Sequence, residues 1–507
     1  MAIPPRAARC GPAVEPVSDS STLRPAELLA RRRAGVLLHP TSLPGPADHG
    51  DLGPPAHAFV DFLAAAGFSV WQVLPLGPVN ASRSPYQTHS IAAGDPALIS
   101  AELLVADGLV PAGISVSREQ AWRRAWVAFR NRRPAGMIGE FEAFRERERG
   151  WLDDFALFMA LREQHGRAAW TAWPVELRDR DAAALSRARR GLADPIGAHT
   201  FAQFLFARQW SALRAHAHAR GVLLFGDLPV YPAHDSAEVW AGRSLFDLGA
   251  DGRPRRVSGV PPDAFSADGQ LWNTPVYAWD AARAELLDWW AARLRTDGER
   301  FDVVRIDHFR GLDAFWAIPA DAPSAAAGAW YPAPGHELLA RLEREPLCPG
   351  LVAEDLGVIT PEVTALRRAF GLPGMRVLQF AFDGLPDNPH LPAAHEEDSV
   401  VYTGTHDNNT TIGWWGDVDE ATRARVATVT GDFREPMPWP LVDLALGSIA
   451  RLAMLPMQDC LALGSAARMN RPATSDGNWR WRMMPGTAGG ALAAELRARL
   501  QRAGRAG

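Results

Sequence analysis

The stretch VVRIDHFRG (303–311) reads as a strand that turns abruptly polar at its end. Val303, Val304 and Ile306 are β-branched and apolar, and then Arg305, Asp307, His308 and Arg310 arrive together. A side-chain period of two puts Arg305 and Asp307 on one side and Val304, Ile306 and His308 on the other. An arginine beside a carboxylate keeps that carboxylate ionised at neutral pH. An ionised Asp held at a strand end suits a nucleophile. Taken alone, a structural ion pair explains an Arg-x-Asp better, so its meaning depends on what surrounds it.

Working outward, the same pattern recurs. GVLLHP (35–40), SVWQVLPLG (69–77) and VLLFGDLPV (222–230) precede it, and LVAEDLG (351–357), MRVLQFAF (375–382), VVYTGTHDN (400–408) and AMLPMQD (453–459) follow. Continuous Val, Ile and Leu runs are what strands buried on both faces look like, and helical patterns such as PAHAFVDFLAAAGF (55–68) lie between them. Eight such strands imply an α/β fold, a (β/α)8 TIM barrel. A doubly wound sheet of fewer strands is the alternative.

The spacing is uneven. About 145 residues separate the second segment from the third, too many for an ordinary connection. REQAWRRAWVAFRNRR (118–133) and FEAFRERERGWLDDFALFMALREQ (141–164) place apolar residues three and four apart, which predicts helices there. A second insertion contains VSGVPPDAFSADGQLWNTP (257–275), whose Gly, Pro and Asp content reads as loop. The expected organisation is an N-terminal extension over 1–22 without fixed structure, then one elaborated barrel over 23–507. Large, mainly helical insertions follow the second and third strands, at about 77–221 and 231–300.

Composition narrows the chemistry. With 47% hydrophobic and 22% charged residues and a formal charge of −5, the 507-residue chain has an ordinary globular balance and no nucleic-acid footprint. No apolar run is long enough for a membrane span, and the N-terminal stretch lacks the apolar core of a secretory signal. Cys10, Cys348 and Cys460 are far apart and form no CxxC pair, which fits a reducing cytoplasm. All 53 basic residues are arginine. Schiff-base chemistry through lysine and a phosphate-binding P-loop lysine are thereby excluded. The first strand carries no HxH pair of the kind metal-dependent barrel hydrolases use, so neither a metal nor another cofactor is expected.

Asp307 closes the fourth segment, Glu354 the fifth and Asp407 the seventh, so a barrel would bring all three to one mouth. Glycosyl transfer needs two carboxyls in different protonation states, one to attack the anomeric carbon and one to protonate the leaving oxygen. Arg305 stands two residues from Asp307 as a candidate counter-ion, whereas Glu354 follows the apolar LVA, where desolvation favours the protonated form. Asp307 is then the nucleophile and Glu354 the acid/base, with His406 and Asp407 near the sugar hydroxyls. Among the 19 tryptophans, Trp272 in GQLWNTP and, beside it in kind, Tyr86 in SPYQTHS sit in loop contexts suited to stacking on sugar rings.

HPTSLPGPADHGDLG, WQVLPLGP, SPYQ, GDLPVYPAHDSAEVW, SGVPPDAFSADGQLW, RIDHFRG, AEDLG, PGMRVLQFAF, YTGTHDNNTT and LGSAARMNRP, in that order, resemble the 4-alpha-glucanotransferase or amylomaltase family, glycoside hydrolase family 77 of the α-amylase clan. The likeness runs from about residue 33 to 482. It implies a retaining double displacement with Asp307 as nucleophile, Glu354 as acid/base and Asp407 as transition-state stabiliser. It places Tyr86, Asp227, Arg305 and His406 around the sugar on the donor side of the cleaved bond and Trp272 and Phe380 along neighbouring glucose positions, with His308 a further substrate-binding residue. The implied partners are α-1,4-glucans, maltooligosaccharides and glucose, with no cofactor or metal. Two segments depart from the family: VNASR (79–83) stands where a Gly- and Tyr-containing loop is common, and LWNTP replaces LWGNP. An α-glucan hydrolase of the same clan and a non-catalytic glucan-binding protein are the competing readings.

Overall fold

A computed structural model describes residues 30–45, 49–113, 117–262, 268–431, 435–474 and 476–507. The expected extension over 1–22 lies outside them. The strands in chain order are β1 (Arg33–Leu37), β2 (Val70–Gln72), β3 (Leu223–Leu228), β4 (Arg256–Val260), β5 (Gln270–Pro275), β6 (Val303–Ile306), β7 (Ala314–Pro319), β8 (Ala329–Pro332), β9 (Gly350–Ala353), β10 (Gly374–Val377), β11 (Ser399–Tyr402) and β12 (Leu452–Pro456). All eight apolar segments become strands of one parallel sheet, in the order β10-β11-β12-β1-β2-β3-β6-β9. This is the (β/α)8 barrel.

The alternation inside β6 follows the predicted sides. Val303 joins Val70, Phe225, Val352, Val400 and Met454 in the barrel interior, while Val304 and Ile306 pack outward with the surrounding helices. Glycine is required at 35, where a Cβ would sit 2.7 Å from both the Met454 sulfur and Val70. The barrel closes between β9 and β10 by other means than a regular ladder. The Ala353 N–H donates to the Pro373 carbonyl at 2.8 Å, and the Asp355 carboxylate accepts from the Met375 N–H at 2.6 Å. Gly374 leaves room for that carboxylate, since a Cβ there would lie 2.4 Å from Asp355 Oδ2. In AEDLG, Asp355 therefore laces the barrel while Glu354 is free for the mouth.

Helix α1 (Pro54–Ala66) connects β1 to β2. The long insertion before β3 carries α2 (Arg118–Arg132), α3 (Ala135–Gln164) and α4 (Ala193–His218), in agreement with the periodicity. Ser117 and Gln120 form a capping box that starts α2. Phe129, Phe141 and Phe201 then lock α2, α3 and α4 together, with Phe129 and Phe201 stacked at 4.5 Å. The arginines of α2 pair within the molecule, Arg118 with Asp51 at 3.3 Å and Arg123 with Glu119 at 3.2 Å. The one HxH of the chain, His216 and His218, lies at the end of α4. There the two histidines contact Asp61 of α1 and Asp302, just ahead of β6.

The second insertion differs from the loop reading. Segment 257–275 contributes β4 and β5, an antiparallel hairpin in a four-stranded sheet ordered β5-β4-β7-β8, so this insertion holds strand as well as helix. The reason is nonlocal: β4 is held by β7, with Val257 opposite Ile318 and Gly259 opposite Trp316. Of the Gly, Pro and Asp signals, Gly259 lies within β4 and Pro275 within β5, and Pro261, Pro262, Asp268 and Gly269 lie between the two strands; residues 263–267 lie outside the described residues. Helix α5 (Trp279–Arg300) then leads into β6.

Candidate active site

The C-terminal ends of β3, β6, β9 and β11 carry Asp227, Asp307, Glu354 and Asp407 to one mouth. Arg305, buried in the barrel, joins two of them. Its Nη1 donates to both carboxylate oxygens of Asp227, at 2.9 and 2.8 Å, and its Nη2 lies 2.8 Å from Asp307 Oδ1. The planar guanidinium suits this double role. Tyr86 donates its hydroxyl to Asp227 Oδ2 at 2.8 Å, which ties the β2–β3 insertion to the strand ends.

Glu354 is fixed by two backbone donors, the His308 N–H to Oε2 at 2.7 Å and the Leu356 N–H to Oε1 at 3.1 Å. Burial pushes its carboxyl up to about 8, Arg305 pulls it down, and the neighbouring charge of Asp307 pushes it up again. No cation stands beside Glu354 in sequence, but one does in space, and burial outweighs it. The two carboxyls therefore sit in opposed environments, Asp307 on a guanidinium and Glu354 in a pocket that favours its acid form.

His308 leaves the strand in the left-handed region, φ 50°, which turns its ring against Trp272 in an edge contact at 4.7 Å. Burial holds its imidazole down at about 4, so it is neutral at pH 7. Asn273, in LWNTP, also has a positive φ of 58°, so asparagine occupies a backbone position that glycine adopts freely. Phe380 ends a 3-10 turn after β10, half-buried against the barrel interior, with its carbonyl held by Asn388 at 2.7 Å.

His406 stacks on Tyr86 at 5.1 Å, and Asp407 beside it is half exposed. The loop that carries them is anchored from below by Asp459 at the end of β12. That buried carboxylate accepts from the Thr403 hydroxyl at 2.6 Å and from the Thr411 N–H and hydroxyl at 2.8 and 2.7 Å. The structure thus brings all ten residues named from the sequence to this face. Sequence reasoning gave no role to Arg468, Asn470 and Trp479, which reach the site from beyond β12. Asn470 donates to Asp407 Oδ1 at 2.6 Å, and the Trp479 ring lies 5.9 Å from His406. The only signal was the polar cluster in LGSAARMNRP.

Comparison with known proteins bears on this arrangement. A family model described as 4-alpha-glucanotransferase matches residues 38–487. The 4-alpha-glucanotransferase of Thermus thermophilus is 47% identical over 488 residues, covering 92% of this chain and 98% of that protein. That of Synechocystis is 44% identical, covering 90% and 95%. Among solved structures, the amylomaltase of Streptococcus agalactiae in complex with acarbose superposes with a TM-score of 0.90 at 33% identity, covering 94% of this chain and all of that one.

Proposed function

Because the chain belongs to the 4-alpha-glucanotransferase family, we propose that its clustered carboxyls divide a retaining transfer of α-1,4-glucan segments as follows. Asp307 attacks the anomeric carbon of the donor glucose, and Glu354, protonated at neutral pH, gives its proton to the departing 4-oxygen. A glucosyl ester on Asp307 results. The acceptor's 4-hydroxyl then loses its proton to Glu354 and displaces Asp307, which restores both groups and the α configuration. Asp407 supports the positive charge that develops at the sugar ring.

The observation that carries this reading is the contrast between neighbours: Asp307 paired with Arg305 at 2.8 Å, and Glu354 raised to about 8 by burial. Asp227, Tyr86 and His406 form the floor against which the donor sugar rests, and Trp272, His308 and Phe380 contact the glucan beside it. The insertions at 77–221 and 231–300 wall the cleft, since they supply Tyr86 and Trp272. Maltooligosaccharides serve as donors, and maltooligosaccharides or glucose as acceptors. We place the reaction in a reducing cytoplasm, a reading supported by the free thiols of Cys348 and Cys460. Among the described residues no helix is long and apolar enough to cross a membrane.

The test is incubation with maltotriose, following free glucose and longer glucans, beside Asp307→Asn. A ladder of longer glucans that the variant cannot make is the expected result. Shorter sugars alone would make the chain a hydrolase, and turnover by the variant would remove Asp307 from the mechanism.

A further inference from the structure

We propose that Arg468 is a positioning residue for Asp407, acting through a clamp that Asn470 completes; this rests on the reading of Asp407 as the third carboxylate. Asp407 is the least sheltered of the three, on a loop with its side chain about half exposed. An unrestrained aspartate there would populate several staggered rotamers. The structure supplies the restraint from the opposite end of the chain. Arg468 follows a short turn, Ser465–Ala467. Its Nη2 donates to the Asp407 carbonyl at 2.5 Å and its Nε to the Asn470 carbonyl at 2.6 Å.

One edge of a single guanidinium therefore fixes the backbone of both residues at once. With the two main chains set in register, Asn470 Nδ2 donates to Asp407 Oδ1 at 2.6 Å, and His406 Nε2 lies 3.4 Å from the same oxygen. Oδ1 is thus engaged, and Oδ2 is the oxygen left to face a sugar. The segment is docked at further points. Asn409 donates to Ser465 Oγ at 3.0 Å, Gln458 to the Ala467 carbonyl at 3.2 Å, and the Trp479 N–H to the Met469 carbonyl at 2.8 Å. Arg468 spends both of these donors on main-chain carbonyl oxygens rather than on a carboxylate. A lysine ammonium cannot present two donors along one rigid edge, so the arrangement needs arginine specifically.

The experiment is steady-state disproportionation of maltotriose by Arg468→Lys, Arg468→Gln, Asp407→Asn and the Arg468→Gln/Asp407→Asn pair, with thermal unfolding of each. Misplacement of a working group by about an ångström can cost on the order of a hundredfold. Both Arg468 variants should accordingly lose about 30- to 100-fold in kcat with KM changed less than about threefold and unfolding little altered. Because Arg468 acts only through Asp407, the double variant should be no slower than Asp407→Asn alone. Additive losses in the double variant, a KM-only effect, or full activity in Arg468→Lys would each overturn the proposal. Loss of activity in Asp407→Asn with wild-type rates in both Arg468 variants would overturn it while leaving the catalytic reading intact. Full activity in Asp407→Asn would instead overturn the reading on which it rests.

Discussion

Replacing Glu354 by Gln should make the protein more stable at alkaline pH while abolishing transfer. Folding moves this carboxyl from an ordinary 4.5 to about 8, chiefly by burial, so the folded state binds its proton more tightly than the unfolded chain does. The unfolded chain loses the proton near pH 4.5 and the folded one near 8. Stability contributed by Glu354 is therefore intact below the lower value, falls through the interval, and stays low above about pH 8. At about 1.4 kcal/mol per pH unit the full penalty is roughly 5 kcal/mol. That figure is an upper bound, because the cleft admits water to one side of the carboxyl, and about 2–4 kcal/mol is the working expectation. Glutamine is neutral throughout. It forfeits part of the two backbone bonds that Glu354 accepts, at a pH-independent cost of about 1 kcal/mol. Urea unfolding of both proteins between pH 5 and 9 isolates the effect, since other titrations largely cancel in the difference. The variant should start slightly less stable and finish more stable, with the crossing inside that interval. A difference that stays constant with pH, or one that grows in favour of the wild type, would refute the argument that burial holds Glu354 protonated.

The same raised carboxyl should appear kinetically as an alkaline limb in kcat/KM with an apparent pKa of about 8, measured on maltotriose; a profile flat to pH 9 would deny Glu354 the acid role. Tyr86→Phe removes the 2.8 Å bond to Asp227 and should lower kcat/KM about tenfold, the equivalent of a hydrogen bond of about 1.5 kcal/mol to a charged group; an unchanged value would free Asp227 from any dependence on Tyr86. Arg505→Met should leave kcat alone but cost about 3–5 kcal/mol in urea unfolding. This buried guanidinium donates to the carbonyls of Arg33, Leu446, Ser448, Ala450 and Arg451; each would lose this donor, with Leu446 and Ser448 keeping Arg32 and Arg451 keeping the Arg33 N–H. Equal midpoints would show that water replaces it at no cost.

What could be read from the sequence, and what could not, divides along a physical line. A parallel barrel strand is buried on both faces, so its apolar run is visible locally, and each strand's last residue has a place at the mouth set by the sheet alone. Asp307 and Glu354 follow directly on β6 and β9, so their place at the mouth could be read locally, whereas Asp407 comes on a loop beyond β11. The β4–β5 hairpin could not, because β4 also depends on pairing with β7, more than forty residues away, while the segment's own Gly and Pro content reads as loop. Asp355 is the instructive intermediate. It stands next to Glu354 with the same charge and an equally apolar run before it, yet it turns to Met375 and closes the barrel. Only the pleat separates the two, and a period of two says that neighbours face apart without saying which side is the mouth. Gly374 resolves it, since a glycine opposite is what lets the second carboxylate fit between strands. Arg468 and Asn470 lie furthest from local inference. Their partner is 61 residues from Arg468, at the end of another strand, and nothing in LGSAARMNRP marks a donor meant for a carbonyl rather than for solvent. A barrel announces the groups its strands carry and conceals the groups that reach over from its loops, and that is where sequence reading stops.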